Sequence, residues 1–252
     1  MLLLCYVNSN GAVCESFIRF SDVSKDRSAA AISDLVVKEL KEFDCLNKLI
    51  AQTYDGAAVM SGELNGVQGK VKEHVPDAIF IHYYAHRLIL VLSHAASSNA
   101  KCIVFFSTLG GCSTFFTASS KRMSLLDDIV KTRFPKLAPT RWSYSARLVE
   151  TVQHNLEDLL QLFEHIVETP QSFDQKSINE AQGFLLTLSS FDFNILLQIY
   201  GLVLPFTQNL YNILQSKSMD ILFCVKEIET TMKKLVFNVC TKCANSSLNF
   251  LV

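Results

Sequence analysis

The chain has 252 residues, of which 49% are hydrophobic and 19% charged, and its 23 basic and 24 acidic residues leave a net charge of -1. This composition is too apolar for a disordered chain, and it carries no overall basic field that would direct the protein to nucleic acid or to a membrane. Eight cysteines in a chain of this length are too sparse for a disulfide scaffold and favour a reduced, intracellular protein.

The first twenty residues have the pattern of a β-hairpin. Residues 1–7 are apolar, residues 8–11 (NSNG) carry turn residues, and residues 12–20 alternate in polarity. Asn-Gly pairs supply the positive φ that tight hairpin turns need. The apolar start has no basic segment before it, so we predict a strand here rather than a signal peptide.

The following segments alternate between helix and strand patterns. Residues 24–43 and 67–74 have the apolar spacing of helices, and residues 47–54 read as a strand. Residues 78–84 are apolar on both faces, which predicts a central strand, and they lead into a predicted buried helix over residues 85–97. Strands that alternate with helices predict an α/β layer with some parallel pairing.

Beyond residue 100 the pattern is helical only, with predicted helices at 103–130, 148–167, 176–188, 194–214 and 220–237. We therefore predict an incomplete α/β core over residues 1–134, followed by an all-α region over residues 135–252, with the boundary in the proline-containing stretch 134–141. No stretch combines the length and polarity of a membrane span, so we expect no membrane partner.

Asp55 follows a predicted strand directly and precedes Gly56. Ligands of open α/β sheets bind at this edge, and a carboxylate there could hold Mg²⁺ or Mn²⁺. The pair Asp-Gly is also common in turns for backbone reasons alone, and the pattern by itself favours that simpler interpretation.

Two further spacings are typical of metal ligands. His82 and His86 lie four residues apart, and Cys240 and Cys243 form a C-x2-C pair. A structural zinc site needs about four ligands, and the chain offers no second pair for either spacing. Buried, hydrogen-bonded histidines and unpaired thiols are therefore the simpler interpretation.

Residues 118–148 form the basic part of the chain, with seven basic and two acidic residues. Such a patch can contact phosphates, and the tryptophan that it contains, Trp142, could stack on an unpaired base. A core tryptophan beside a solvated charged loop is an equally good interpretation. The candidate nucleic-acid contacts in this segment are Lys121, Arg122, Arg141 and Trp142.

Several motifs occur together and in one order along the chain: residues 53–62 (TYDGAAVMSG), 66–68 (GVQ), 82–92 (HYYAHRLILVL), 115–116 (FF) and 139–148 (PTRWSYSARL). In this order they resemble the catalytic core of hAT-superfamily transposases, and in particular the transposase-derived, MYM-type zinc finger-like proteins. The resemblance covers nearly the whole chain. It implies an RNase H-like fold that is interrupted by a helical insertion, and a nuclear location.

The resemblance also assigns roles to individual residues. Active relatives hold Mg²⁺ or Mn²⁺ on three acidic ligands, and Asp55 matches the second of them. His86 matches the histidine of a C-x2-H element whose cysteine is replaced here by Tyr83. Arg141 and Trp142 match the motif that opens the insertion, where the tryptophan helps to hold a flipped base.

Two of the three acidic ligands have no counterpart that we can assign in this sequence. One carboxylate does not make a two-metal site. We therefore expect a truncated, catalytically inactive RNase H-like domain without a resident cofactor or a small-molecule substrate, with residual binding to DNA. The alternative is a protein-interaction or self-association module that uses the C-terminal helices.

Overall fold

The computed structural model describes residues 1–54, 57–130, 134, 142–216 and 220–249. The chain divides into two compact units, Met1–Arg87 and Leu88–Val252. The first contains strands and helices and the second is helical, so the predicted α/β class with a following helical region is confirmed. The predicted boundary stretch, residues 134–141, falls within the second unit, and all of it except Phe134 lies outside the described residues.

The predicted hairpin is present. Strand β1 (Leu2–Val7) pairs antiparallel with β2 (Val13–Arg19), and Val7 lies opposite Val13. In the turn, the side-chain oxygen of Asn8 accepts two backbone N–H hydrogen bonds, each of 3.0 Å. Gly11 takes a φ of 76°, a conformation that is accessible to glycine at low cost.

Helix α1 (Ala29–Glu42) begins later than the periodicity predicted, because Ser28 caps its N-terminus and accepts a hydrogen bond from the backbone of the first turn. An ion-pair cluster ties this helix to the hairpin. The guanidinium of Arg19 lies 2.8 Å from carboxylate oxygens of both Glu39 and Glu42. Glu39 is buried, so Arg19 supplies the charge that this carboxylate needs.

A short parallel strand pair follows. Strands β3 (Ala51–Gln52) and β4 (Ile79–Phe80) pair in parallel, and helices α2 (Ala58–Ser61) and α3 (Val67–His74) lie between them in sequence. The parallel pairing and the bounds of α3 were predicted, but both strands are shorter than expected.

The prediction that residues 78–84 form a central, doubly covered strand is wrong. Ile79 is 59% exposed and Ile81 46% exposed. The described sheet at this point has two strands, so β4 lies at an edge of it and not in its centre. The buried apolar side chains of the first unit come mainly from its helices: Val37, Leu40, Val67, Val71, Val75, Ala78 and Ala85.

Helix α4 (Tyr84–Ser97) was predicted to be buried, and this is also wrong. Leu90 is 46% exposed and Val91 65% exposed. Ile89 and Leu92 pack in part against the core of the helical unit. One side of the helix therefore packs against the core and the other is exposed, although apolar residues lie on nearly all sides of it.

The helical unit continues with α5 (Ala100–Thr117), α6 (Ser120–Ile129), α7 (Trp142–His154), α8 (Leu156–Glu168), α9 (Gln175–Leu188), α10 (Phe191–Leu214) and α11 (Ile221–Asn249). The described residues beyond 100 contain no strand, as predicted. Two predicted helices are each divided in the structure. Ser119 caps α6 and marks the point where the predicted helix 103–130 divides into α5 and α6, and Asn155 separates α7 from α8.

The core of this unit is rich in phenylalanine. Helix α8 buries Leu159, Leu162, Phe163 and Ile166, which recur at three- and four-residue spacing on one face. The ring of Phe163 lies 5.4 Å from that of Phe116 and 5.2 Å from that of Phe184. These contacts join α5, α8 and α9 around one cluster.

Within the described part of the chain, α5 is long and apolar enough to cross a membrane by length and composition, and α9 with α10 would pass the same test as one span bent by 69°. Core helices also meet these criteria. Phe105, Leu109 and Phe116 of α5 are buried in the core cluster.

Candidate functional site at the ends of β3 and β4

The parallel register brings two loop segments to the same sheet edge. Ala51 pairs with Ile79 and Gln52 with Phe80, and the N–H of Ile81 donates to the carbonyl of Gln52 at 2.9 Å. Residues 53 and 54 therefore leave β3 beside the point where residues 81 and 82 leave β4. In α/β proteins, ligands bind at this end of parallel strands.

Asp55 lies outside the described residues, but the structure describes the chain on either side of it. Tyr54 donates its phenolic hydrogen to the side-chain oxygen of Gln52 at 3.0 Å. The amide of Gln52 donates in turn to the carbonyl of Gln68 at 3.2 Å, and the amide of Gln68 donates to the carbonyl of Ser61. This chain of hydrogen bonds ties β3 to α2 and α3 and so holds the strand end from which Asp55 follows.

The network supplies hydrogen-bond partners to two buried glutamines that the sequence patterns did not connect with each other. Gln52 and Gln68 are both buried, and buried amides need hydrogen-bond partners. Gln68 belongs to the motif on which the resemblance rests, whereas Gln52 looked like an ordinary strand residue. The predicted strand, residues 47–54, also contains Asn47, Lys48 and Thr53, so no sequence signal set Gln52 apart.

Gly66 lets the start of α3 approach this loop closely. A Cβ atom at residue 66 would lie 2.7 Å from the Cα of Gly62, closer than such atoms approach in real structures. Because the obstacle is backbone, it has no rotamer by which to move away. The close approach therefore depends on glycine.

An aromatic group lines the same edge. The rings of Tyr54 and Phe80 stack with centroids 6.1 Å apart, and the His82 ring packs edge-on against Phe80 at 4.7 Å. Burial raises the pKa of Tyr54 to about 12. The phenol therefore stays neutral at physiological pH and acts as a hydrogen-bond donor to Gln52.

His82 and His86 lie on different elements. His82 is exposed at the end of β4, and His86 is half-buried in the first turn of α4. Within the residues that the structure describes, no three His, Cys, Asp or Glu side chains are grouped so that they could hold a metal ion. The side chains of Cys240 and Cys243 are not among those described.

Lys121 and Arg122 have partners within the helical unit. Lys121 donates to the carbonyl of Ser172 and lies 4.6 Å from the ring centroid of Phe173. The Nε of Arg122 donates to the carbonyl of Phe115 at 2.8 Å, and its Nη1 donates to the hydroxyl of Ser177. Both side chains therefore have partners within the fold. Their role in nucleic-acid binding stays a prediction.

The remaining nucleic-acid candidates lie where α7 begins. Arg141 is outside the described residues, and Trp142 is the first residue of α7, although its side chain is not described. The sheet edge and this helix start belong to different compact units.

Comparison with known proteins gives one family match. Residues 1–66 match the family model described as the ZMYM1/FAM200 RNase-like domain, DUF4371. The matched segment contains the hairpin, α1 and β3, and its sequence includes Asp55. No solved structure matches the chain. The N-terminal part of the chain is thus similar to an RNase-like domain.

Proposed function

We propose that the chain is a transposase-derived, RNase H-like domain of the hAT superfamily, related to the MYM-type zinc finger-like proteins, that binds nucleic acid and does not cut it. A nuclear location belongs to this proposal. It is supported by the RNase-like match over residues 1–66 and by the order of motifs along the rest of the chain.

The observation that carries the proposal is the parallel register of β3 and β4. It brings the strand end before Asp55 and the strand end with His82 to one edge, where α/β proteins bind ligands. The buried Gln52 and Gln68 hold this edge in place. A fixed edge of this kind can hold a ligand in place, with or without catalysis.

Loss of cleavage follows from the number of carboxylates. Two-metal catalysis requires several acidic ligands around both ions, and Asp55 is the one that we can match to the family. We expect no nicking of supercoiled plasmid DNA with Mg²⁺ or Mn²⁺, measured by gel electrophoresis, and the same result for Asp55→Asn. Metal-dependent nicking that Asp55→Asn abolishes would contradict this part of the proposal.

For binding, Trp142 and Arg141 are better candidates than Lys121 and Arg122, whose side chains have partners in the fold. Stacking of one base on an aromatic side chain contributes about 1–3 kcal/mol. Trp142→Ala should therefore weaken binding to labelled single-stranded DNA by about tenfold, measured by fluorescence anisotropy. Phe191→Ala, which removes another aromatic ring that is 55% exposed, is the matched control.

A second candidate function is self-association through α11. Leu222, Val225, Met232 and Val236 are exposed on this helix, with Met232 at 62% and Val236 at 66%. Together with Glu229 they follow the alternating three- and four-residue spacing of a coiled-coil seam. Cys224 and Thr231 are buried, so the helix has a covered side and an uncovered apolar stripe.

The two functions can be separated in one experiment. If α11 mediates self-association, sedimentation equilibrium will show oligomers for the wild type and for Trp142→Ala, and monomers for Met232→Glu. Monomers at all concentrations in the wild type would remove this second function and leave the first unaffected.

A further inference from the structure

The uncovered stripe on α11 carries a charge in its middle. Its apolar members, Leu222, Val225, Met232 and Val236, are exposed, and Glu229 lies between the first two and the last two and is exposed as well. We call these five residues the α11 stripe. A carboxylate that is covered without a partner destabilises the contact, so Glu229 restricts what can cover the stripe.

Two lysines border the α11 stripe on one side. Lys226 and Lys233 are both exposed, and they lie three residues before and four residues after Glu229. Residues at this spacing are neighbours on a helix surface. The other flank of the stripe, with Ile228 and Leu235, is apolar and half-buried. A helix that covers the stripe therefore meets positive charge on one flank only.

A parallel pairing of two copies does not suit this pattern. In an in-register parallel pair each residue of the stripe meets the same residue of the other copy, so Glu229 would face Glu229. Like charges repel strongly when an interface brings them together. The lysines would not relieve this repulsion, because in a parallel pair their flank lies against the apolar flank of the second copy.

An antiparallel pairing removes the repulsion. The α11 stripe has two apolar residues on each side of its carboxylate, so it is complementary to itself when one copy is turned end over end, as a two-fold interface requires. With Val225 opposite Val236 of the second copy, Glu229 lies opposite Met232 and beside Lys233 of that copy. Symmetry then forms two contacts between Glu229 and Lys233.

We propose that α11 forms an antiparallel homodimer in which Glu229 pairs with Lys233 of the second copy. The proposal rests on the self-association given above as the second candidate function. It adds the orientation of the two helices and the charge pair that sets this orientation. A second copy is the partner because the stripe and its flank supply both the acid and the base of the contact.

Charge reversals, measured by sedimentation equilibrium on the full chain, test the pairing. Glu229→Lys and Lys233→Glu each place like charges side by side, so each should raise the dissociation constant of the dimer by about tenfold or more. The double variant Glu229→Lys/Lys233→Glu restores opposite charges. Its dissociation constant should return to within about threefold of the wild-type value.

Lys234→Glu is the matched control for these changes. Lys234 is exposed and adjacent to Lys233 in sequence, but at 3.6 residues per turn it projects away from the α11 stripe. Its reversal should change the dissociation constant by about twofold or less. All the variants should keep the circular dichroism of the wild type, and an ion pair within one helix is too weak to produce a tenfold effect.

The outcomes separate this proposal from the function on which it rests. A wild-type protein that stays monomeric would remove both. Wild-type dimers whose dissociation constant is unchanged in Glu229→Lys would overturn the antiparallel pairing alone, because a parallel pair exchanges one like-charge contact for another. A double variant as weak as the single variants would overturn the contact between Glu229 and Lys233.

Discussion

At the residue scale, Arg122 shows how a basic side chain can serve packing. Its guanidinium lies 4.2 Å from the ring centroid of Phe115 and donates to Ser177 on α9. Ser177 in turn donates to Asp174, the N-cap of that helix, at 2.7 Å. One arginine thus joins α5, α6 and the start of α9, a role that a count of basic residues cannot reveal.

The N-cap of α9 makes stability depend on pH. Hydrogen bonds from the hydroxyl and the backbone N–H of Ser177 lower the pKa of Asp174. A carboxyl with a lower pKa in the folded state stabilises above its unfolded pKa and loses that contribution as pH falls through the folded value. The melting temperature of Asp174→Ala should therefore differ most from the wild type near pH 7 and less near pH 3.

The control for this prediction is Ser190→Ala, which removes the uncharged N-cap of α10. Its effect on the melting temperature should stay nearly constant over the same range of pH. Equal pH dependence of the two variants, measured by circular dichroism, would contradict the role given to Asp174.

Cysteine reactivity should follow burial. Complete burial raises the pKa of Cys112, whereas Cys5 is exposed on the hairpin. Because the thiolate is the reactive form, iodoacetamide should modify Cys5 of the native protein and leave Cys112 unmodified, as read by peptide mass spectrometry. Both should react in denaturant, and rapid native labelling of Cys112 would contradict its burial.

At the scale of elements, the helical core depends on α8 and its contacts with α5 and α9. Phe163 is fully buried, and its ring contacts Phe115, Phe116 and Phe184. Removing a buried phenylalanine side chain leaves a cavity as well as losing transfer free energy.

Phe163→Ala should therefore lower the free energy of unfolding of the helical unit by about 3–5 kcal/mol, measured by urea denaturation. Leu186→Ala, at a position on α9 that is 69% exposed, is the control and should change it by about 0.5 kcal/mol or less. Similar losses in the two variants would contradict the placement of Phe163 in the core.

The same elements show how far the sequence predicts the structure. The Asn-Gly turn and the bounds of α3 follow from local chemistry, and both were predicted correctly. The burial of residues 78–84 and of α4 was not, because an apolar sequence indicates which residues could be covered and not whether a neighbour covers them. The N-caps Ser28 and Ser119 fix where two helices begin. Apolar periodicity alone predicts helices that are too long at these points.

Only part of the candidate site could be predicted from the sequence. The strand pattern of residues 47–54 ends just before Asp55, and that of residues 78–84 has His82 near its end. Parallel pairing then brings those two strand ends to one edge. The hydrogen bonds among Tyr54, Gln52 and Gln68 depend on tertiary contacts between β3 and α3. Sequence spacing does not encode such contacts.

At the scale of the whole molecule, the chain has an α/β unit, whose residues 1–66 are similar to an RNase-like domain, and a helical unit. The overall charge is close to neutral, with a net charge of -1, so binding to DNA cannot come from a general electrostatic attraction. The proposed binding would therefore depend on the local basic segment and on stacking, so the dependence on salt and on Trp142 tests it.

The most direct test of the central claim is an anisotropy titration of labelled single-stranded DNA at several salt concentrations. We expect measurable binding, and the logarithm of the association constant should fall linearly with the logarithm of the salt concentration, by about 0.7 for each phosphate contacted. We also expect that the labelled DNA stays intact in Mg²⁺. Undetectable binding at low salt, or binding that does not change with salt, would contradict the claim that this domain retains a nucleic-acid surface.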